Sequence, residues 1–325
     1  MNSLLSTVAL ALFAVGISPA QSEEWPLKPL RLIVAYPAGG GVDFVARTIS
    51  QRLSERLKQP VIVDNRGGAS GAIGADFVAK ASPDGYTLLL ASPAEVVVGP
   101  EAGQKIPYKP EVDFEPVILV GETPLALAIK ASSESKSLAE FIAFAKGARA
   151  ENLSYGTPGS GSSMHFAGEA FKAGTGTIMQ HIPYRGAAPA LNDALSGQVS
   201  MLIAGLPPVI AHVKSNKLRI LAVTTGARSS LMPDVPTVSE LPGMKDYRFS
   251  NWMTVFAPSK TPVSIIDRLD REITAIIAEP AVRERLLGAG VEPRGLGGKE
   301  LAAFLSDERK RYGSVAKERN IRIEN

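Results

Sequence analysis

The chain of 325 residues has no cysteine and only three histidines, His165, His181 and His212. The first absence removes thiol chemistry, disulfides and a lipid-modified cleavage site. The second leaves none of the paired imidazole spacings that build a zinc helix, so no metal and no cofactor are expected. Charge is also short on one-sidedness: 35 basic against 32 acidic residues give a net +3 without a basic run, and no nucleic acid partner is expected. Past the N-terminus no segment approaches the ~20 apolar residues of a membrane span. What remains is ordinary for a soluble α/β protein, with 45% hydrophobic and 6% aromatic residues. The length is enough for two domains.

The N-terminus is an exception to this mixed composition. Leu4 to Ile17 is an uncharged apolar stretch followed by Ser18, Pro19 and Ala20, small residues where a signal peptidase reads. Residues 1–20 are therefore read as a cleaved signal peptide, which places the mature chain in the periplasm of a Gram-negative cell. A chain of this size can be held by its core without disulfides.

Two glycine turns organise the rest. Leu32 to Ala35 reads as a buried strand, and Val42, Val45, Ala46, Ile49, Leu53 and Leu57 recur at helical steps, so Gly39, Gly40 and Gly41 sit at a strand-to-helix junction. There the first helical N–H groups lack partners and the helix dipole favours an anion, while glycine permits close approach. Asp43, in the first turn, reads as a helix cap or as an acceptor for a ligand donor. The second turn runs from Tyr155 to Ser163 and opens another helix with the hydroxyls of Ser160, Ser162 and Ser163.

Around these turns the chain reads as two α/β units. Strands at Leu32–Ala35, Pro60–Asp64 and, following a turn, within Asp84–Ser92 alternate with helices, the pattern of a parallel sheet with right-handed crossovers. Ligands gather at the carboxyl ends of such strands, where Tyr36 to Asp43 and Ser92 to Glu95 fall. The apolar runs Pro116–Val120 and Leu125–Ile129 are interrupted by Gly121 to Pro124, a place to pass between domains. A helix is expected over Ser137–Ala150, further strands at Val199–Ala204 and Leu218–Thr224, and a return through Ser250–Ala257. The remainder reads as helical: Pro262–Ala278, Ala281–Ala289 and Gly298–Glu318. This gives a discontinuous first domain, 21–121 with 255–325, and a second at 122–254.

Catalytic patterns fail one by one. The glycines at 39 to 41 miss the dinucleotide fingerprint, because its third glycine would fall on Phe44. Gly298-Lys299 lacks the rest of a P-loop, and neither Gly67–Gly71 nor Gly159–Ser163 centres a serine in a nucleophile elbow. A serine hydrolase built on Ser162 and His165 is the remaining enzymatic alternative. Binding accounts for the same residues: two facing turns offer N–H donors to a carboxylate, with Tyr36, Tyr184 and Trp252 as candidate aromatic walls and Arg185 as a candidate cation.

The runs Tyr36-Pro-Ala-Gly-Gly-Gly-Val-Asp43, Asp64-Asn-Arg-Gly-Gly-Ala-Ser-Gly71 and Val78-Ala-Lys-Ala-Ser-Pro-Asp-Gly-Tyr86 resemble the signature of the Bug proteins, extracytoplasmic solute receptors of tripartite tricarboxylate transporters. Gly161 to His165, Pro183 to Gly186, Lys217 to Thr224 and Pro236 to Glu240 extend the resemblance over the mature chain. It implies a type II periplasmic binding protein fold, two α/β domains closing on a small organic carboxylate, and delivery to a permease with a large and a small membrane subunit. The receptor is expected to be a monomer and not an enzyme; an orphan receptor sensing for a two-component system is the alternative role. The residues and the resemblance together give Tyr36, Ala38, Gly39, Gly40, Asp43, Ser92, Thr157, Ser160, Gly161, Ser162, Tyr184, Gly186 and Ala187 as candidate ligand contacts. Hinges are expected near Gly121–Thr123 and Asn251–Val255. Two departures stand out: Ser92 to Pro100 lacks the family's usual asparagine–proline element, and Ser200 stands where an aspartate is common.

Overall fold

The computed structural model describes residues 25–147 and 152–323. The expected signal peptide lies outside them, as does the end of the helix expected over Ser137–Ala150. Secondary structure begins with β1 (Leu30–Val34), α1 (Gly41–Leu57), β2 (Val61–Asn65), α2 (Ala72–Ala79) and β3 (Thr87–Ala91). A π-helical turn at Ala94–Val98 and two short helices, α3 (Gly99–Glu101) and α4 (Pro110–Asp113), lead into β4 (Phe114–Lys130). Then come α5 (Leu138–Lys146), β5 (Ser154–Thr157), α6 (Ser163–Thr175), β6 (Gln180–Pro183), α7 (Ala187–Ser196), β7 (Met201–Gly205), α8 (Leu206–Lys214) and β8 (Leu218–Val223). The chain ends with β9 (Ser250–Pro258), α9 (Val263–Ala278), α10 (Pro280–Gly288), β10 (Glu292–Gly297) and α11 (Gly298–Glu318).

Two sheets share β4. Its first half lies antiparallel to β9 and β10, in a sheet continued by β3, β1 and β2; β1 is parallel to both β2 and β3. From Leu125 onward its partners are β7 and β8, and β5 and β6 extend that second sheet in parallel. The two apolar runs expected to be separated at Gly121–Pro124 are thus one continuous strand, whose partners change there. Gly121 is required at this crossing because a Cβ would lie 2.7 Å from the carbonyl oxygen of Glu292 on β10. β10 itself falls between the helices expected over Ala281–Ala289 and Gly298–Glu318, where the sequence suggests no strand. Its residues, Glu-Pro-Arg-Gly-Leu-Gly, carry no alternation of apolar and polar side chains, so its pairing with β4 has no local signature.

Hydrophobic burial follows the expected periodicity elsewhere. Val42, Val45, Ala46, Ile49, Leu53 and Leu57 turn the buried face of α1 onto the first sheet, where a fully buried aliphatic side chain contributes about 1.5–3 kcal/mol. α11 packs against elements of both sheets. Tyr312 meets Phe166 of α6 and Phe249, with ring centroids 5.1 and 5.4 Å apart, and Glu308 accepts the indole N–H of Trp252 at 2.8 Å.

Candidate functional site

A cavity of about 540 Å³ opens between the two glycine turns, within the usual range of a small-molecule site. Tyr36 to Ala38 and Gly40 to Val42 line it from the β1–α1 turn, Ser160 to Met164 from the β5–α6 turn, and Ser92 and Ala94 from the end of β3. Ser70, Gln104, Asn251 and Ile323 complete it. None of these lining side chains is charged.

Both helices point their N-termini at this space. Gly40 occupies the N-cap of the 17-residue α1 with no side-chain cap, so the N–H groups of Gly41 and Val42 have no intrahelical acceptor. Ser162 caps the 13-residue α6: its hydroxyl accepts from His165 N at 3.3 Å and donates to the Gly159 carbonyl at 2.7 Å. Ser163 and Met164 supply the corresponding unpaired N–H groups at that helix end. A carboxylate between them would meet two positive dipole ends and, among the described lining residues, no cation.

The floor beneath the second turn is built from imidazoles. Gly161 N–H donates to His165 Nδ1 at 3.2 Å, and the His165 and His181 rings stack 3.9 Å apart with 10° between their planes. Thr157 Oγ1 and His181 Nε2 lie 2.7 Å apart. Burial holds His165 below the ordinary histidine range and, with His165 beside it, pushes His181 down to about 4. Burial thus disfavours the charged form of both rings. Ser162 and His165 therefore form a helix cap and a support for the turn, with the serine hydroxyl held by backbone groups instead of by the imidazole.

Of the residues singled out from sequence, Tyr36, Ala38, Gly40, Ser92, Ser160, Gly161 and Ser162 line the cavity. The structure does not bring the others to it. Gly39 donates its N–H to Asp43 Oδ2 at 2.9 Å, and Arg47 Nε reaches the same oxygen at 2.9 Å while the Asn65 amide bonds Oδ1 at 3.0 Å. Asp43 is 3% exposed and serves as the brace of its own turn. Thr157 is buried under the second turn, and Tyr184 turns its hydroxyl to Asp193 at 2.6 Å. Gly186 and Ala187 begin α7 beside that tyrosine, with Gly186 N–H bonded to the Pro158 carbonyl. Trp252, considered as a cleft wall, lies wholly in the core.

Arg47 first, then the bond from Gly39, hold the Asp43 carboxyl below the ordinary aspartate range against the opposing effect of burial. Its contribution is present above the unfolded value of 3.8 and is lost as pH falls through the lower folded one. Asp43→Asn should cost about 1 kcal/mol at neutral pH, and the difference from wild type should close under acid conditions. Urea unfolding at several pH values measures this; a cost that stays constant into acid would show that geometry, not charge, is lost.

The ligand contacts chosen from sequence left out Ser70, Gln104, Asn251 and Ile323 of the cavity wall, and Glu95 behind it. Glu95 carried a signal, an acid immediately before Val96-Val-Val98. It is 1% exposed, and burial pushes its carboxyl up to about 7 despite bonds from Ser92 and Tyr36. Burial, then Glu95, raise the Tyr36 phenol well above its ordinary value. Ile323 reaches the cavity because its N–H bonds the Ala102 carbonyl at 3.1 Å while its side chain covers Gly161, where a Cβ would be 2.6 Å from Ile323 Cδ1.

The family model described as tripartite tricarboxylate transporter family receptor matches residues 45–321. Protein BugT of Bordetella pertussis is 37% identical over 325 residues, covering 99% of each chain. Among solved structures, an R. palustris protein with adipate is 34% identical with a TM-score of 0.77, covering 92% of this chain and 99% of that one. MatC from Rhodopseudomonas palustris with bound malate is 26% identical with a TM-score of 0.71, covering 90% and 99%.

Proposed function

Because the chain belongs to the tripartite tricarboxylate transporter receptor family, with the two-domain fold of periplasmic binding proteins, we propose that it captures a small organic carboxylate in the periplasm and delivers it to a permease of large and small membrane subunits. One observation carries the ligand class: an uncharged cavity faced by the uncapped N-terminus of α1 and the N-terminus of α6. Neutral backbone donors suit a receptor that must release its anion, since no salt bridge has to be broken. The adipate and malate held by two relatives support the same class.

The domains divide at 121/122 and 254/255 on this reading, and they close by bending where β4 and β9 run side by side between the sheets. Thr123 pairs with Asn251 there, and Asn251 also lines the cavity. On this reading ligand contact and bending fall on the same residue, and the closed monomer is the form presented to the permease.

A thermal-shift series with C4 to C6 dicarboxylates tests the reading. A ligand at 100 times its dissociation constant should stabilise the folded chain by about 2.7 kcal/mol. A flat response to every carboxylate, with neutral solutes active, would overturn it. Loss of uptake of that ligand when the receptor gene is deleted would separate transport from sensing.

A further inference from the structure

The hydroxyls of Tyr36 and Ser92 lie 2.9 Å apart on the cavity wall, and both reach the Glu95 carboxylate behind them. Tyr36 donates to Glu95 Oε2 at 2.8 Å and Ser92 Oγ donates to the same oxygen at 2.7 Å, while Ser92 N–H donates to Oε1 at 2.9 Å. Each hydroxyl owns a single hydrogen. With both hydrogens given to Glu95, the two oxygens have only lone pairs left; Ser92 Oγ uses one to accept Ala94 N–H at 3.3 Å, and the others are what the pair can offer the cavity. Two further described neighbours of Glu95 are uncharged: the Tyr108 hydroxyl bonds its backbone carbonyl at 2.8 Å, and Gly71 lies so close that a Cβ would be 3.1 Å from Glu95 Cδ.

We propose that Glu95 is a specificity-determining residue: by holding the hydrogens of Tyr36 and Ser92 it makes that wall an acceptor, which selects a carboxylate bearing a hydrogen-bond donor over the same skeleton without one. The donor is an ammonium, hydroxyl or amide group beside the carboxylate. The two helix ends serve the carboxylate, and the Tyr36–Ser92 wall serves the donor. A bare diacid leaves these acceptors desolvated and unpaired, the situation that gives polar sites their strongest discrimination. The inference rests on the carboxylate reading above and adds to it which carboxylates are kept.

Isothermal titration with succinate, malate and aspartate, which differ only in hydrogen, hydroxyl or ammonium at one carbon, tests the proposal together with adipate and 2-aminoadipate. At about pH 8, where Glu95 is ionised, wild type should bind a donor-bearing member at least about tenfold tighter than its bare diacid. In Glu95→Gln the new amide donates to both hydroxyl oxygens and turns their hydrogens to the cavity, so the ratio should fall to one or reverse. Tyr36→Phe removes one acceptor, together with its hydrogen bond to Glu95, and should lower the ratio as well. A wild type that binds the bare diacids as tightly as their donor-bearing homologues overturns the proposal and leaves the carboxylate reading standing. So does a ratio unchanged in both variants. Failure of every acid to bind overturns both.

Discussion

Glu95→Gln should raise the stability of the ligand-free protein by about 3 kcal/mol at about pH 8 and leave it nearly unchanged at about pH 4. Glu95 releases its proton near 4.5 in the unfolded chain but holds it up to about 7 in the folded one, because burial penalises the charge more than its hydrogen bonds repay. Between those values the folded state binds more protons than the unfolded state, so wild-type stability falls as pH rises and levels off above about 7. Each pKa unit corresponds to about 1.4 kcal/mol, which sets the size of the effect. Glutamine has the shape of the protonated acid and can still accept Ser92 N–H, so it keeps the low-pH stability at every pH. Urea unfolding of both proteins at about pH 4, 6 and 8 reads the difference directly, other carboxylates being common to the two chains. Parallel pH profiles would show that Glu95 ionises in the folded protein at an ordinary value.

This cost also bears on function. A fold that keeps a carboxylate at 1% exposure without neutralising it spends stability on a feature that core packing does not need. Tyr36 and Ser92 are the two groups that carry its influence to the cavity. Binding a group that donates to them draws electron density from the same network and stabilises the ionised Glu95. Ligand binding and the cost of the buried charge are therefore linked in the direction that favours donor-bearing acids.

The sequence was most legible where structure is local. The apolar spacing from Val42 to Leu57, the glycines before it and the hydroxyl-bearing turn from Ser160 to Ser163 are each decided within a few residues, so both jaws of the cavity were readable. Asp43 was harder, because its partners Arg47 and Asn65 are a helical turn and a strand away, and the fixed cation one turn on makes it a brace. Tyr184 and Trp252 looked like cleft aromatics but found Asp193 and Glu308 instead, partners that only the fold supplies. β10 and Ile323 had no chance of being read: one is a strand only because β4 lies beside it, and the other reaches the cavity only because residues 321–323 return to Ala102. Glu95 was legible only as part of the span Ser92 to Glu95 at the end of the third strand, and its bond to Tyr36, 59 positions away, is supplied by the fold alone.

Ser162→Asp should leave the melting temperature of the protein nearly unchanged and weaken carboxylate binding at least about 100-fold, or about 2.7 kcal/mol. Aspartate caps a helix about as well as serine and adds a favourable interaction with the dipole, which offsets the lost donation from the hydroxyl to the Gly159 carbonyl. The added charge, however, stands on the cavity wall where the proposed ligand's own charge must sit. Two like charges about 4 Å apart near a protein surface repel by about 4 kcal/mol, which exceeds the expected loss. Ser162→Ala supplies the contrast: it removes the cap, costs about 1 kcal/mol of stability, and leaves the Ser163 and Met164 N–H groups free for the ligand, so affinity should fall by no more than about tenfold. The two variants thus exchange their effects, one sparing the fold and losing the ligand, the other weakening the fold and keeping it. Circular dichroism melts and calorimetric titrations with the tightest acid of the thermal-shift series check both. Wild-type affinity in Ser162→Asp would mean that the carboxylate sits away from the N-terminus of α6, and the cavity between the two turns would no longer be the ligand seat.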